Sequence, residues 1–167
     1  MTSITHAIGI DPGLVHTGVV SMEFSPGSKL ITVRSEVFDG PDAEAVAQWV
    51  EARRVIVHKR PYIYIEKYVP RQHFGTDEKM VKAEAAFTAA LPKAKLIRNT
   101  GVTNIVTPRV LAMLDVWKFK TTTHHQDLRS AAKILLYGML KEPMLNQLLA
   151  DVVRDNLDGT PWEIRSR

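Results

Sequence analysis

Two apolar runs of this chain each end on a carboxylate. The first, "HAIGID" over residues 6–11, is followed at once by Pro12-Gly13, and the second, "PYIYIE" over 61–66, ends on Glu66. Alternating apolar residues read as strand, and Pro-Gly as the turn that stops it. In the first run Ile8 and Ile10 lie on one face, with Ala7, Gly9 and Asp11 on the other. A carboxylate at the end of a buried strand is costly unless something pairs with it. Backbone N–H groups satisfy such an acid in the simplest case. Two of them on neighbouring strands point instead to a shared site.

The order of elements makes them neighbours. "TGVVSM" (17–22) and "KLITVRSEVF" (29–38) read as the second and third strands of an antiparallel meander, with Arg34 and Glu36 alternating with Val33, Ser35 and Val37 as near an edge. The period then changes: Val46, Trp49, Val50, Arg53 and Val57 recur at helical spacing. "DEKMVKAEAAFTAAL" is an alanine-rich helix, "KAKLIRN" a fifth strand, and Thr107-Pro108 a capped helix start. Two further helices follow at about 124–139 and 143–156. This order predicts an α/β fold, a five-stranded mixed sheet flanked by helices, with strands one, four and five as its parallel centre. Asp11 and Glu66 then emerge at one carboxyl-terminal edge, where open α/β sheets keep their sites.

At 167 residues and 45% hydrophobic composition the chain can bury a core. Residues 1–157 are expected to form one domain and 158–167 a loosely held tail. The absence of cysteine excludes disulfides, thiolate nucleophiles and zinc-finger spacings. Apolar stretches are short and interrupted by charge, with neither a transmembrane span nor a leader, so a soluble cytoplasmic protein is expected.

A third acid comes from "TTTHHQDLRSAAKILLYGM". Thr123 and Gln126 have the spacing of a capping box, which starts the helix at His124 and puts His124 and Asp127 on one face of its first turn. Leu128, Ala131, Ala132 and Leu135 dock this helix on the sheet. Asp127 also suits the positive end of the helix dipole with no further role. Asp115, among Leu111, Leu114 and Trp117, lacks any such placement. Each pair of carboxylates about 4 Å apart repels by about 4 kcal/mol at an effective dielectric near 20. Protons or a divalent cation must offset that. Oxygen donors without thiols suit Mg²⁺ or Mn²⁺, and two such ions support phosphoryl transfer.

The net charge of +4 is unevenly spread. Residues 1–50 hold two Lys/Arg against six Asp/Glu, residues 51–83 eight against four, and residues 93–133 eight against two. The two basic regions surround Glu66 and Asp127 and favour a polyanion such as nucleic acid, a solvated face being the alternative.

These residues resemble a known family. "GIDPGLVHTG" resembles the first motif of RuvC-type Holliday junction resolvases, within the ribonuclease H-like superfamily, "IYIEK" resembles their second, and "HHQDLRSAAKI" their last in its phage-type version. The resemblance spans nearly the whole chain. It implies a five-stranded ribonuclease H-like mixed sheet, a homodimer, and metal-dependent, symmetric nicking of four-way DNA junctions. It implies that Asp11 bridges metal from the first strand, that Glu66 is the fourth-strand ligand and that Asp127 is the last acid. His124 falls where many bacterial members have a fourth carboxylate and others a histidine. That implies a ligand or water-orienting role with Mn²⁺ relatively effective, general acid–base chemistry being the alternative.

Lys118 and Lys120, just before the last helix, are candidates for the scissile phosphate, although segment 107–123 is more compact than in bacterial members. In "EKYVPRQHFGTDEKM" either Tyr68 or Phe74 is the candidate to stack on a base at the branch point, among Lys67, Arg71 and His73. Lys79, Lys82, Arg129 and Lys133 are candidate phosphate contacts. Ala83, Ala86, Phe87 and Ala90 give a small-residue face for packing on the sheet or across a dimer. Three rivals stand beside this reading. "DPGLVHTG" also resembles the phosphate loop of sugar-kinase or actin-like ATPases, which ordinarily need two such domains. A noncatalytic branched-DNA binder gains nothing from clustered acids. A less specific flap or branched-DNA endonuclease on the same fold remains open.

Overall fold

Residues 5–39 fold as a meander because three apolar runs are separated by turn residues at Pro12-Gly13 and Pro26-Gly27. In the computed structural model, which describes residues 3–57, 60–70, 75–120 and 122–167, β1 (Thr5–Asp11), β2 (His16–Ser25) and β3 (Leu30–Asp39) pair antiparallel. Asp11 stands opposite Gly18, and His16 opposite Asp39. A single 3-10 turn, Pro26–Ser28, joins β2 to β3.

The chain continues through α1 (Ala43–Val57), β4 (Tyr62–Lys67), α2 (Thr76–Ala90), β5 (Lys95–Arg98), α3 (Val102–Ile105), α4 (Pro108–Met113), α5 (His125–Leu140), α6 (Pro143–Asp158) and β6 (Glu163–Ser166). Asp42 starts α1 by accepting the Ala45 N–H at 3.0 Å. Thr107 caps α4 through the Val110 N–H, with Pro108 at the first position as the sequence predicts. The strand order is β5-β4-β1-β2-β3-β6, with β5, β4 and β1 mutually parallel. These three make one side of the sheet rather than its centre.

Two corrections concern the C-terminus and the strand count. The sheet has six strands, because the segment expected to be a loose tail pairs as β6 alongside Leu30–Val33 of β3. Trp162 anchors it: the ring is buried and its Nε1 donates to Asp155 Oδ2 at 3.1 Å. Arg167 N then donates to the Val33 carbonyl at 2.8 Å. Four residues, two of them charged, carry little period-2 signal, whereas an open β3 edge offers backbone partners to any strand that reaches it.

Alternation divides the core between the two faces of the sheet. Ile8, Ile10, Val19 and Ile65 pack with Val46 and Val50 of α1 and Phe87 of α2. Ala7, Val20, Met22 and Tyr64 pack beneath α5, which buries eight residues including Leu128, Ala131, Ala132 and Leu135. A helix buried over so much of its surface is a central element, and α5 lies across β1, β2 and β4. Among the described residues, no helix is long and apolar enough to cross a membrane.

One buried titratable group lies outside this apolar packing. His6 is 2% exposed and shares a 2.7 Å hydrogen bond with Ser21 Oγ. Burial first, then the positive charges of Arg34 and Arg53, push its pKa down to about 4. Between pH 6.5 and 4 the unfolded chain therefore binds a proton that the folded chain refuses, so stability falls as pH drops through that window. The loss should approach about 3 kcal/mol. Urea unfolding from pH 8 to 4 checks it, and His6→Gln should flatten the slope.

Candidate active site

The position of Asp127 is set by two glycines on the sheet. A Cβ on Gly9 would stand 2.1 Å from the Ala131 carbonyl oxygen, and one on Gly18 would stand 2.4 Å from the Asp127 carbonyl oxygen. The backbone of α5 thus rests directly on β1 and β2, with no side chain between. Gly18 is the cross-strand partner of Asp11. The missing side chain that admits the first turn of α5 is the same one that brings Asp127 beside Asp11.

At the adjoining strand end, β1 and β4 are parallel neighbours paired up to Ile10 and Ile65, so Asp11 and Glu66 leave the sheet at one edge. Glu66 and Ser130 both act on the Asp11 carboxyl, Glu66 favouring its protonated form and Ser130 its ionised form. Burial, then the Glu66 hydrogen bond and charge, then the charge of Asp127 push the Asp11 carboxyl up to about 9, against the opposing effect of Ser130. Glu66 Oε1 accepts from Asn99 Nδ2 at 2.8 Å, just past the end of β5. A cleft of about 640 Å³ opens here, lined by Asp11, Glu66, Lys67, Tyr68, Asn99 and Thr103 among others. His124 Nδ1 lies 3.7 Å from Asp127 Oδ2.

The donors at this edge suit a divalent cation only in part. Among the described residues, no three His, Asp or Glu side chains stand so that they could hold a metal ion by themselves. The Asp11–Glu66 pair does fit an ion such as Mg²⁺, which binds through one or two carboxylates and completes its shell with water and substrate phosphate. A carboxyl held protonated by burial and two neighbouring acids is a position where a cation can replace the proton.

Several expectations from the sequence need correcting here. The Thr123–Gln126 capping box does not form: α5 begins at His125, His124 is its N-cap without a side-chain cap bond, and Thr122 Oγ1 accepts the His124 N–H at 3.0 Å. In a run of consecutive threonines, spacing alone does not choose which hydroxyl turns inward. His125, the first residue of α5, turns back toward the preceding loop. Its Nδ1 accepts the Phe119 N–H at 3.1 Å and its ring stacks on Phe119, so it anchors the loop before α5.

Lys118 and Lys120 are exposed and line a small hollow with Asp115, Ser166 and Arg167, apart from the Asp11–Glu66 cleft. Asp115 holds a positive φ of 56° and accepts the Ser166 hydroxyl at 3.0 Å, an acid engaged in turning the chain and holding β6.

The candidate DNA contacts separate in the same way. Lys67 lines the cleft. Tyr68 is held back against α2: its N–H donates to Glu84 Oε2 at 2.7 Å and its hydroxyl donates to Asp77. Arg71, His73 and Phe74 lie outside the described residues. Arg129 Nε donates to the Trp117 carbonyl at 2.6 Å, and its guanidinium lies 4.0 Å from the centre of the Trp117 ring. Lys79 and Lys82 are exposed on α2, Lys82 paired with Glu78 at 2.8 Å, and Lys133 is half-buried on α5.

Sequence reasoning missed Ser130 and Asn99. Ser130 is three residues after Asp127 on the same helix face, a spacing that pointed to it. Asn99 carried only a weak signal as a polar residue closing the fifth strand.

No protein-family model matches the chain, and no curated protein matches it. Solved structures do. Thermus thermophilus RuvC in complex with a Holliday junction substrate is similar at a TM-score of 0.54 and 16% identity, over 86% of this chain and 96% of that one. A second Thermus thermophilus RuvC structure gives 0.52 at 18% identity, again over 86% and 96%. The fold is therefore the RuvC-type, ribonuclease H-like mixed sheet flanked by helices.

Proposed function

We propose that this chain of RuvC-type fold is an endodeoxyribonuclease that resolves four-way DNA junctions by metal-dependent phosphodiester hydrolysis. The observation that carries the reading is the Asp11–Glu66 pair at one sheet edge, where burial first, then Glu66 and the charge of Asp127, push Asp11 toward its protonated form. A binding module gains nothing from such charge beside phosphate. The similar structures support the reading through their fold, and one of them is bound to a Holliday junction.

In this reading Asp11 and Glu66 hold Mg²⁺ or Mn²⁺, with Asp127 adding charge and His124 at its side. Such an ion supplies Lewis acidity at the scissile phosphate and stabilises the leaving oxygen. The chain's own residues do the rest. Asn99 fixes the rotamer of Glu66, Ser130 favours the ionised form of Asp11, and His124 orients a water or carries a proton next to Asp127. Lys67 in the cleft, with Lys79, Lys82 and Lys133 beyond it, meets phosphates and positions DNA without reading sequence.

Paired cuts on opposite strands require two copies. Ala83 and Phe87 are buried in the chain's own core, so the proposed dimer surface moves one step round α2. Exposed Ala86, Ala89 and Ala90 border an apolar groove of about 820 Å³ shared with Ala47 and Val50 of α1. Its rim carries both Glu51 and Lys93, so a two-fold pairing can match acid with base.

Junction, flap, duplex and single-stranded substrates incubated with Mg²⁺, Mn²⁺ or EDTA test the proposal. The expected outcome is junction cleavage that depends on the cation, with duplex left largely intact. Equal cutting of duplex and junction, or preference for flaps, would replace it with the less specific nuclease. Cutting in EDTA would remove the metal. A monomer by sedimentation, both free and on a junction, would remove the paired cuts.

A further inference from the structure

His124 has no intrinsic reason to hold one orientation. It precedes α5 as its N-cap, makes no side-chain cap bond, and its side chain is 43% exposed. A half-exposed imidazole in that setting samples several rotamers. Its surroundings supply a constraint that the proposed chemistry does not use. The His16 ring lies 4.2 Å from the His124 ring, centre to centre, tilted by 54°. Behind it, His16 Nδ1 is buried without a hydrogen-bond partner and lies 3.6 Å from Asp39 Oδ1, so the four side chains run Asp39, His16, His124, Asp127 from the β3 terminus to the site.

The His16 end of this chain is rigidly held. His16 is the first residue of β2, paired with Asp39 at the last residue of β3. The residues on either side of it are fixed to Gly40: Gly40 N donates to the Val15 carbonyl at 2.6 Å, and Thr17 Oγ1 donates to the Gly40 carbonyl at 2.8 Å. Thr17 is fully buried. The His16 backbone is therefore held on both sides, and its ring lies against that of His124.

We infer that His16 is a positioning residue for His124: its ring, carried on the held backbone at the β2–β3 end, orients the imidazole of His124 beside Asp127. The inference deepens the proposed nuclease site and rests on that reading only where activity is concerned. The contact is made by ring against ring, so the shape of the His16 side chain matters and its nitrogens do not. Phenylalanine should replace it and alanine should not.

The test uses the full chain as wild type, His16→Ala, His16→Phe, His124→Ala and the double variant His16→Ala/His124→Ala, with thermal unfolding to establish that each is folded. The first readout is the set of His124 imidazole proton signals without metal or DNA. In wild type and His16→Phe these should stand displaced from free-imidazole positions, and in His16→Ala they should collapse toward them. Unchanged His124 signals in His16→Ala would overturn the inference. The second readout is junction cleavage. His16→Ala should lose about tenfold in rate, His16→Phe should recover most of it, and His16→Ala should add nothing in the His124→Ala background. Equal loss in His16→Phe and His16→Ala, or additive loss in the double variant, would overturn it by showing that His16 acts independently of His124. If the wild type cuts no DNA, the nuclease reading fails, while the imidazole signals still decide the pairing.

Discussion

Asp11→Asn should abolish junction cleavage while sparing the fold. Asparagine keeps the shape of the side chain and removes the charge that holds a cation, so the single-turnover rate should fall by about 10³-fold or more. Junction affinity should stay the same or rise, since one negative charge next to phosphate has gone. The same substitution carries a stability signature. Burial and the two neighbouring acids push the Asp11 pKa up to about 9, so in metal-free protein the folded state keeps a proton that the unfolded state releases from pH 3.8 upward. Stability from this group is present at low pH and is lost as pH rises toward 9. Asp11→Asn lacks that loss and should unfold at a higher temperature than wild type above neutral pH. Gain of stability with loss of rate is expected where a site is strained for function. Single-turnover kinetics together with thermal unfolding from pH 5 to 9 check both halves.

Gly18→Ala should be the most damaging change outside the acids. The added Cβ would stand 2.4 Å from the Asp127 carbonyl oxygen and 3.1 Å from the Leu128 nitrogen. Backbone must move, because no flexible side chain is there to yield. Overpacking of this kind costs about 1–3 kcal/mol. Since the displaced turn carries Asp127, the rate should also drop by about 10²-fold, as expected for a misplacement of about 1 Å. Gly9→Ala provides the comparison. It meets Ala131 and Leu135, farther along α5, so a similar loss in urea stability should come with a smaller loss of rate. Equal rate losses would mean that α5 moves as a rigid body and that Gly18 has no special relation to the site.

The parts of this structure that alternate or recur over many residues were legible from sequence. The meander of β1 to β3, the parallel pairing of β1 with β4 and the docking of Leu128, Ala131, Ala132 and Leu135 all follow from apolar period. Single-residue geometry was not. Three consecutive threonines precede His124, and only the folded loop selects Thr122 as the one that meets its N–H. His125 has a polar side chain at the helix start and reads as surface, yet the loop folds back so that Phe119 meets its ring. Strand β6 is short and charged, and depends on a buried tryptophan and a vacant strand edge. Asn99 meets Glu66 through tertiary approach, which spacing along the chain does not encode, whereas Ser130 lies one helical turn after Asp127. Lys118 and Lys120 show the converse: closeness in sequence to α5 does not bring them into the cleft.

Asp11 and Glu66, with Asp127 nearby, would hold a divalent cation. Crystals of the wild-type protein soaked in Mn²⁺, with anomalous difference density measured near the manganese edge, test it directly. A peak is expected within coordination distance of carboxylate oxygens of both Asp11 and Glu66, and no such peak in Asp11→Asn crystals soaked in the same way. A peak at Asp115, or none at the Asp11–Glu66 edge under saturating Mn²⁺, would contradict it.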